Sequence, residues 1–197
     1  MANFITVSSV LKKIIIAITG ISLFLFLIVH LLGNITIFTG SPPGRDFNAY
    51  AHFLESFGIL FTIAELGLLG FFGLHIITAL YTNFINYKSR ESRYAVSNFA
   101  GGKSKKTYAS TSMVITGVVV MAFLIWHVLQ FRFGPYYETI YASVNGGEPV
   151  RDLYRLITEE FSNLWVVLGY TVSLSLLSLH LGHGFWSSFQ SLGIYGK

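Results

Sequence analysis

Four long stretches without charged side chains constrain the fold of this chain more than any other feature. Asp, Glu, Lys and Arg are all absent from 14–44, 107–131 and 161–196, and Glu65 is the one such residue within 56–87. Each stretch is longer than the ~20 residues that cross a hydrocarbon core about 30 Å thick. All four are rich in Leu, Ile, Val and Phe, so we expect an all-α integral membrane protein, a transmembrane helix bundle that forms a single domain over 1–197. The predicted helices lie near 12–38, 58–87, 108–131 and 161–188.

The low content of charged residues argues against a soluble enzyme. Charged residues make up 11% of the chain, whereas typical soluble domains have roughly 25%. Cysteine is absent, which excludes disulfides, thiolate zinc sites and Cys-ligated iron–sulfur clusters within the chain. The formal net charge is +4, but the basic residues follow the order of the membrane segments. We therefore expect no nucleic acid partner.

The positions of the basic residues predict the orientation of the helices. Lys12 and Lys13 precede the first helix, and six Lys and Arg residues lie in the loop 88–106. In the loops on the other side, basic residues are fewer or are mixed with acidic ones. Because Lys and Arg are enriched in cytoplasmic loops, we expect a cytoplasmic N-terminus and an integral protein of the bacterial inner membrane.

Histidines within the predicted membrane helices are the main candidates for function, because imidazole is costly in hydrocarbon without a partner. His30 and His127 lie roughly 24–29 Å above the inner ends of the first and third helices, and His75 and His180 lie about as far below the outer ends of the second and fourth. Each of these two pairs suits a six-coordinate haem, whereas zinc or di-iron would need three or more converging ligands. We predict that His30 and His127 bind the outer haem iron, and that His75 and His180 bind the inner haem iron. Histidines that only pack between helices are the alternative.

Four further residues in these helices have both structural and functional interpretations. His183 lies three residues after His180 and could contact a haem propionate or replace His180 as the ligand. Gly20 and Gly117 each lie ten residues before a predicted ligand, where a missing side chain would let a porphyrin approach. Glu65 lies roughly two turns below the outer surface, where it could bond to a neighbouring helix or transfer protons beside a quinone.

Several segments of the sequence resemble the dihaem cytochrome b subunit that anchors respiratory complex II in the membrane. They are SSVLKKIIIAITGISLFLFLIVHLLGN (8–34), FNAYAHFL (47–54), IWHV (125–128) and HLGHGFWSSFQSLG (180–193). The resemblance covers nearly the whole chain. It implies two haem b groups whose axial ligands are His30, His75, His127 and His180, and it favours His180 over His183.

The resemblance also implies partners and a role in electron transfer. A flavoprotein subunit oxidises succinate, an iron–sulfur subunit passes the electrons to the inner haem, and the outer haem delivers them to a quinone, here menaquinone. The chain would be a non-flavin subunit of succinate dehydrogenase or fumarate reductase, enzymes linked to the tricarboxylic acid cycle, with no dicarboxylate chemistry of its own. Its partners would be the two soluble subunits, membrane lipid and quinone. Proteins of this family usually have a fifth membrane helix after the final LG motif, whereas this sequence stops at Lys197.

Two other functions fit part of the sequence. A dihaem anchor of a hydrogenase or a formate dehydrogenase would also need paired histidines, although in those proteins the histidines usually have other spacings. A haem-free scaffold or transporter would need polar breaks at the middle of the membrane, and the predicted helices show none.

Overall fold

Four long α-helices form most of the structure, a computed structural model that describes residues 8–89, 108–141 and 144–194. They are α1 (Ser9–Ile35), α3 (Ile59–Lys88), α4 (Tyr108–Phe131) and α6 (Leu164–Ser191), and two shorter helices are α2 (Arg45–Glu55) and α5 (Leu153–Glu160). All four long helices contain a segment long and apolar enough to cross a membrane. The all-α part of the fold prediction is therefore confirmed, with helix bounds at most three residues from those expected. From residue 90 onward, the basic loop at 88–106 lies outside the described residues.

The polar segments between the long helices are expected to be loops, but they contain short regular elements. A 3-10 turn at Thr36–Phe38 leads towards α2, and a second one lies at Asn145–Gly147. Strands β1 (Glu138–Thr139) and β2 (Val150–Arg151) pair antiparallel, with Glu138 opposite Arg151. Arg151 is buried and donates from Nη2 to the carbonyl oxygen of Phe131 at 2.8 Å. Its positive charge therefore stabilises the C-terminal end of α4.

Local charge pairs and caps explain where α2 and α5 begin. Gly44 precedes α2 with φ +81°, a left-handed conformation that glycine adopts at little cost. Hydrogen bonds from Arg45, at 2.8 Å and 3.0 Å, lower the pKa of Asp46 in the first turn. Asp152 caps α5 by accepting the backbone N–H of Arg155 at 3.0 Å, as a side chain in an N-cap position usually does.

Asn48, on α2, ties the short elements together. Its side chain is fully buried, and its Nδ2 donates to Asp152 Oδ1 at 2.8 Å and to the Tyr141 hydroxyl at 3.2 Å. Its Oδ1 accepts the backbone N–H of Tyr154 at 3.0 Å. These three bonds satisfy both ends of a buried amide, which would otherwise be destabilising.

The contacts between residues divide the chain into two units, and every long helix contributes one part to each. The first unit comprises the described residues of 1–24, 69–119 and 176–197, and the second comprises those of 25–68 and 120–175. His75 and His180 belong to the first unit. His30 and His127 belong to the second.

The long helices carry many exposed apolar side chains, as a lipid-facing surface would. Leu66, Leu69 and Ile77 of α3 are 62%, 67% and 64% exposed. Gly67, Gly70 and Gly73 lie on the same helix, and close helix packing is a common reason for such spacing. However, a Cβ atom at any of the three would meet nothing within 4 Å in the described part of the chain. Within the described residues, these glycines therefore do not serve close packing against another helix.

Candidate functional site

The second unit brings His30 of α1 and His127 of α4 together. Their ring centroids are 5.8 Å apart and their planes are nearly perpendicular, at 89°. Each imidazole also contacts the phenylalanine four residues before it, Phe26 at 5.4 Å and Phe123 at 5.8 Å between centroids. The two histidines thus form an aromatic-lined pair from two different helices.

The first unit holds His75 of α3 and His180 of α6, each beside a threonine of another helix. His75 Nδ1 lies 3.0 Å from the Thr19 hydroxyl of α1, and His180 Nδ1 lies 3.2 Å from the Thr116 hydroxyl of α4. Both threonines are buried, at 2% and 4% exposed. The two imidazoles are near enough to interact electrostatically.

The threonine hydroxyls suit one protonation state of the neighbouring imidazoles. Thr19 Oγ1 lies 2.7 Å from the carbonyl oxygen of Ile15 in its own helix, and Thr116 Oγ1 lies 3.1 Å from two carbonyl oxygens of α4. Since a hydroxyl has one proton, a threonine that donates to its own helix can accept a proton from the histidine. The arrangement is compatible with imidazoles protonated at Nδ1, which would leave the lone pair of Nε2 free for a metal.

A longer hydrogen-bond chain is compatible with the same tautomer in His127. Its Nδ1 lies 3.2 Å from the hydroxyl of Tyr170 on α6, and this hydroxyl donates to Gln130 Oε1 at 2.8 Å. The amide of Gln130 is oriented in turn, because its Nε2 donates to the carboxylate of Glu160. With its own proton donated to Gln130, the Tyr170 oxygen can accept the Nδ1 proton of His127, which would leave Nε2 free. His30 makes no hydrogen bond to the described residues.

Two glycines allow close approach of the first-unit imidazoles. A Cβ atom at Gly20 would lie 3.3 Å from Cε1 of His75, and one at Gly117 would lie 3.3 Å from Cε1 of His180. Most Cβ contacts in proteins are looser than this. The space that these glycines leave is next to a histidine ring, so their role is to admit the imidazole that Thr19 or Thr116 holds.

The residues of both units fit two imidazole-ligated haems. Because metal–imidazole nitrogen bonds are about 2 Å long, two imidazoles on opposite sides of one metal have ring centres roughly 6 Å apart, close to the 5.8 Å between His30 and His127. In the first unit, the buried hydroxyls of Thr78 and Thr82 have no hydrogen-bond partner among the residues that the structure describes. They lie three and seven residues after His75, on the same side of α3. Unpaired buried hydroxyls next to a predicted ligand fit the polar edge of a haem.

Glu65 is paired with Arg132, which directly follows α4. Arg132 Nε lies 3.0 Å from Glu65 Oε1, and Nη2 donates to Oε2 at 3.2 Å. The side chain of Glu65 is 34% exposed. These two contacts give the carboxylate a structural partner. Its role in proton transfer stays a prediction.

His183 differs from His180 in its contacts. It makes no hydrogen bond to the described residues, whereas His180 is held by Thr116. Within the described part of the chain, no three His, Asp, Glu or Cys side chains are grouped as a metal site.

The hydrogen-bond partners of the histidines were missed from the sequence, although a repeat marks two of them. Ile-Thr-Gly occurs at 18–20 and again at 115–117, and in both helices nine residues separate the glycine from the histidine. Phe-Leu-Ile also precedes His30 and His127 at the same spacing. The repeat indicates that α1 and α4 supply matching groups, a hydroxyl for one histidine pair and a ligand for the other. No such repeat marks Tyr170 in the sequence.

Comparisons of the chain with protein families, curated proteins and solved structures gave no match.

Proposed function

We propose that this chain is the membrane-anchor cytochrome b subunit of a succinate:quinone oxidoreductase. The observation that supports the dihaem part of the proposal is a contact that three histidines share. His75, His127 and His180 each have Nδ1 within 3.2 Å of a hydroxyl oxygen that has another acceptor for its own proton, an arrangement that suits an unprotonated Nε2. Packing histidines have no need of this uniform arrangement, whereas metal-binding imidazoles almost always have it.

Each unit would hold one haem b, with its axial ligands on two helices. His30 and His127 would hold one group and His75 and His180 the other, with Thr78 and Thr82 beside the polar edge of the second. Bound there, haem supplies one-electron transfer at a potential that the axial ligands and their hydrogen bonds tune. The hydroxyl partners would limit the rotation of the His75, His127 and His180 rings.

The partners and the substrate in this proposal are supported by the sequence resemblance. Electrons would enter from an iron–sulfur subunit bound on the cytoplasmic side, which is the side predicted for the six basic residues of 88–106, and leave to menaquinone. Reduction of a quinone to a quinol takes up two electrons and two protons. Glu65 is the candidate group for moving those protons, with Arg132 holding its carboxylate in place.

Purification of the chain from its native membrane tests this proposal. We expect an absorption spectrum of low-spin haem b, together with a flavoprotein and an iron–sulfur protein that oxidise succinate. Hydrogenase or formate dehydrogenase subunits in the preparation would favour the other dihaem function. A colourless preparation would rule out both.

A further inference from the structure

The hydrogen-bond chain from His127 ends on a charged group, and those of the other hydrogen-bonded histidines do not. Thr19 and Thr116 pass their protons to backbone carbonyls of their own helices. Tyr170 instead donates to Gln130, which donates to the carboxylate of Glu160, the last residue of α5. All the residues of this chain belong to the second unit.

The geometry points to a tuning role for this carboxylate: we propose that Glu160, acting through Gln130 and Tyr170, makes His127 a more basic ligand and so lowers the reduction potential of the haem that His127 holds. The inference rests on the proposed function. Hydrogen bonds in series polarise one another, and a carboxylate behind a metal-binding histidine raises the basicity of the ligand. A more basic ligand favours the oxidised iron. Tyr170, Gln130 and Glu160 are thus positioning residues for His127.

The burial of Tyr170 strengthens this connection. Its side chain is 6% exposed and is surrounded by the rings of Phe123, Trp126 and Phe161 at centroid distances of 4.8–5.0 Å. Gly169 further allows the Trp126 ring to approach, since a Cβ atom there would lie 2.8 Å from it. Charge effects in such an apolar environment are screened less than they would be in water.

The neighbouring carboxylate, Glu159, provides a matched control. It bonds to Arg155 at 2.8 Å, and hydrogen bonds from Arg155 and Tyr137 lower its pKa. Replacement of Glu159 with Gln removes the same charge from the same helix but leaves the chain to His127 intact. The comparison therefore separates an effect on the haem potential that is transmitted through the hydrogen bonds from one that depends on charge alone.

Redox titration of the purified complex, followed in the visible spectrum, tests the proposal. We expect Glu160→Gln to raise the midpoint potential of one haem and leave the other unchanged, since a glutamine can still accept from Gln130 but carries no charge. Tyr170→Phe should raise the same potential and change the low-spin electron paramagnetic resonance signal of that haem. Glu159→Gln should leave both potentials at the wild-type values.

The outcomes distinguish this inference from the proposed function. If the wild-type complex contains two haems but Glu160→Gln has the same midpoint potentials, the tuning role is overturned and the proposed function stands. An equal shift in Glu159→Gln and Glu160→Gln would overturn it too, because the effect would then act through space. Wild-type protein without haem would overturn both proposals.

Discussion

At the scale of single residues, the hydroxyl partners distinguish the histidines of this chain from one another. His75 and His180 each contact a threonine hydroxyl, and His127 contacts the hydroxyl of Tyr170. Among the described residues, His30 makes ring contacts and no hydrogen bond. Residues that hold a metal-binding histidine are usually almost as important as the ligand itself. Under the proposed function, Thr19 and Thr116 should therefore affect haem binding through the histidines that they contact.

Thr19→Val tests this role. Valine has a similar shape but no hydroxyl, so the Nδ1 proton of His75 loses its acceptor and the ring loses its fixed orientation. Loss of such a partner weakens metal binding by roughly 10-fold to 100-fold, and we expect the haem of the first unit to be partly lost on purification. Thr19→Ser should restore binding. Thr171→Val is the control, because that exposed hydroxyl bonds only to the backbone of its own helix. Full haem retention in Thr19→Val would contradict the assigned role.

Glu65 and Arg132 allow the ion pair to be separated from proton transfer. Positioned proton-transfer groups typically contribute at least about 100-fold to rate, so Glu65→Gln should slow quinone turnover by roughly that factor with both haems bound. Succinate oxidation with an artificial acceptor at the flavoprotein should survive. Arg132→Gln removes the same ion pair but keeps the carboxylate, and should retain most of the quinone turnover. Equal losses in the two variants would show that only the ion pair matters, and near-normal turnover in Glu65→Gln would place the quinone site elsewhere.

At the scale of elements, the long helices could be predicted and the short ones could not. Length and lack of charge suffice for a membrane helix because the hydrocarbon core imposes a minimum span and requires internal backbone hydrogen bonds. The short elements at 36–55 and 138–160 depend instead on contacts far apart in sequence, such as the bond of Asn48 to Asp152. The threonine contacts likewise depend on the rotation of two helices about their axes, which a single sequence does not specify.

Asn48→Ala tests whether these contacts hold the short elements in place. The change removes one of the two hydrogen bonds to Asp152 Oδ1 and leaves the N–H of Tyr154 without its side-chain acceptor. An unsatisfied buried group costs roughly 1–3 kcal/mol. We expect a lower thermal unfolding temperature in detergent and faster proteolysis of the 138–160 segment. Asn83→Ala, at an exposed position of α3, should leave both unchanged. Equal stability of the two variants would show that the hydrogen bonds of Asn48 do not hold the short elements in place.

At the scale of the whole molecule, the orientation in the membrane is a prediction from the positions of the basic residues, and the labels inner and outer for the two histidine pairs depend on it. Single cysteines can be introduced without interference because the chain has none. A cysteine at Ser89, which follows α3 within the basic segment, should react with a membrane-impermeant reagent only in inside-out vesicles, because translocation of six basic residues is unfavourable. Labelling in right-side-out vesicles would reverse the orientation and exchange the inner and outer positions of the pairs.

The two-unit arrangement makes the histidine pairs separable, and this is the central claim to test. Each unit contains one pair, so loss of one ligand should abolish one haem and leave the other bound by its own pair.

The most direct test of this independence is the haem content of alanine variants of each histidine, measured by the pyridine haemochrome assay. Wild type should contain two haems per chain, and variants of His30, His75, His127 or His180 should each contain about half as much, as expected when one of two axial ligands is lost. His183→Ala should keep both haems, because no described residue orients that ring for a ligand role. Full haem content in His180→Ala, or no haem in the wild-type chain, would contradict the account.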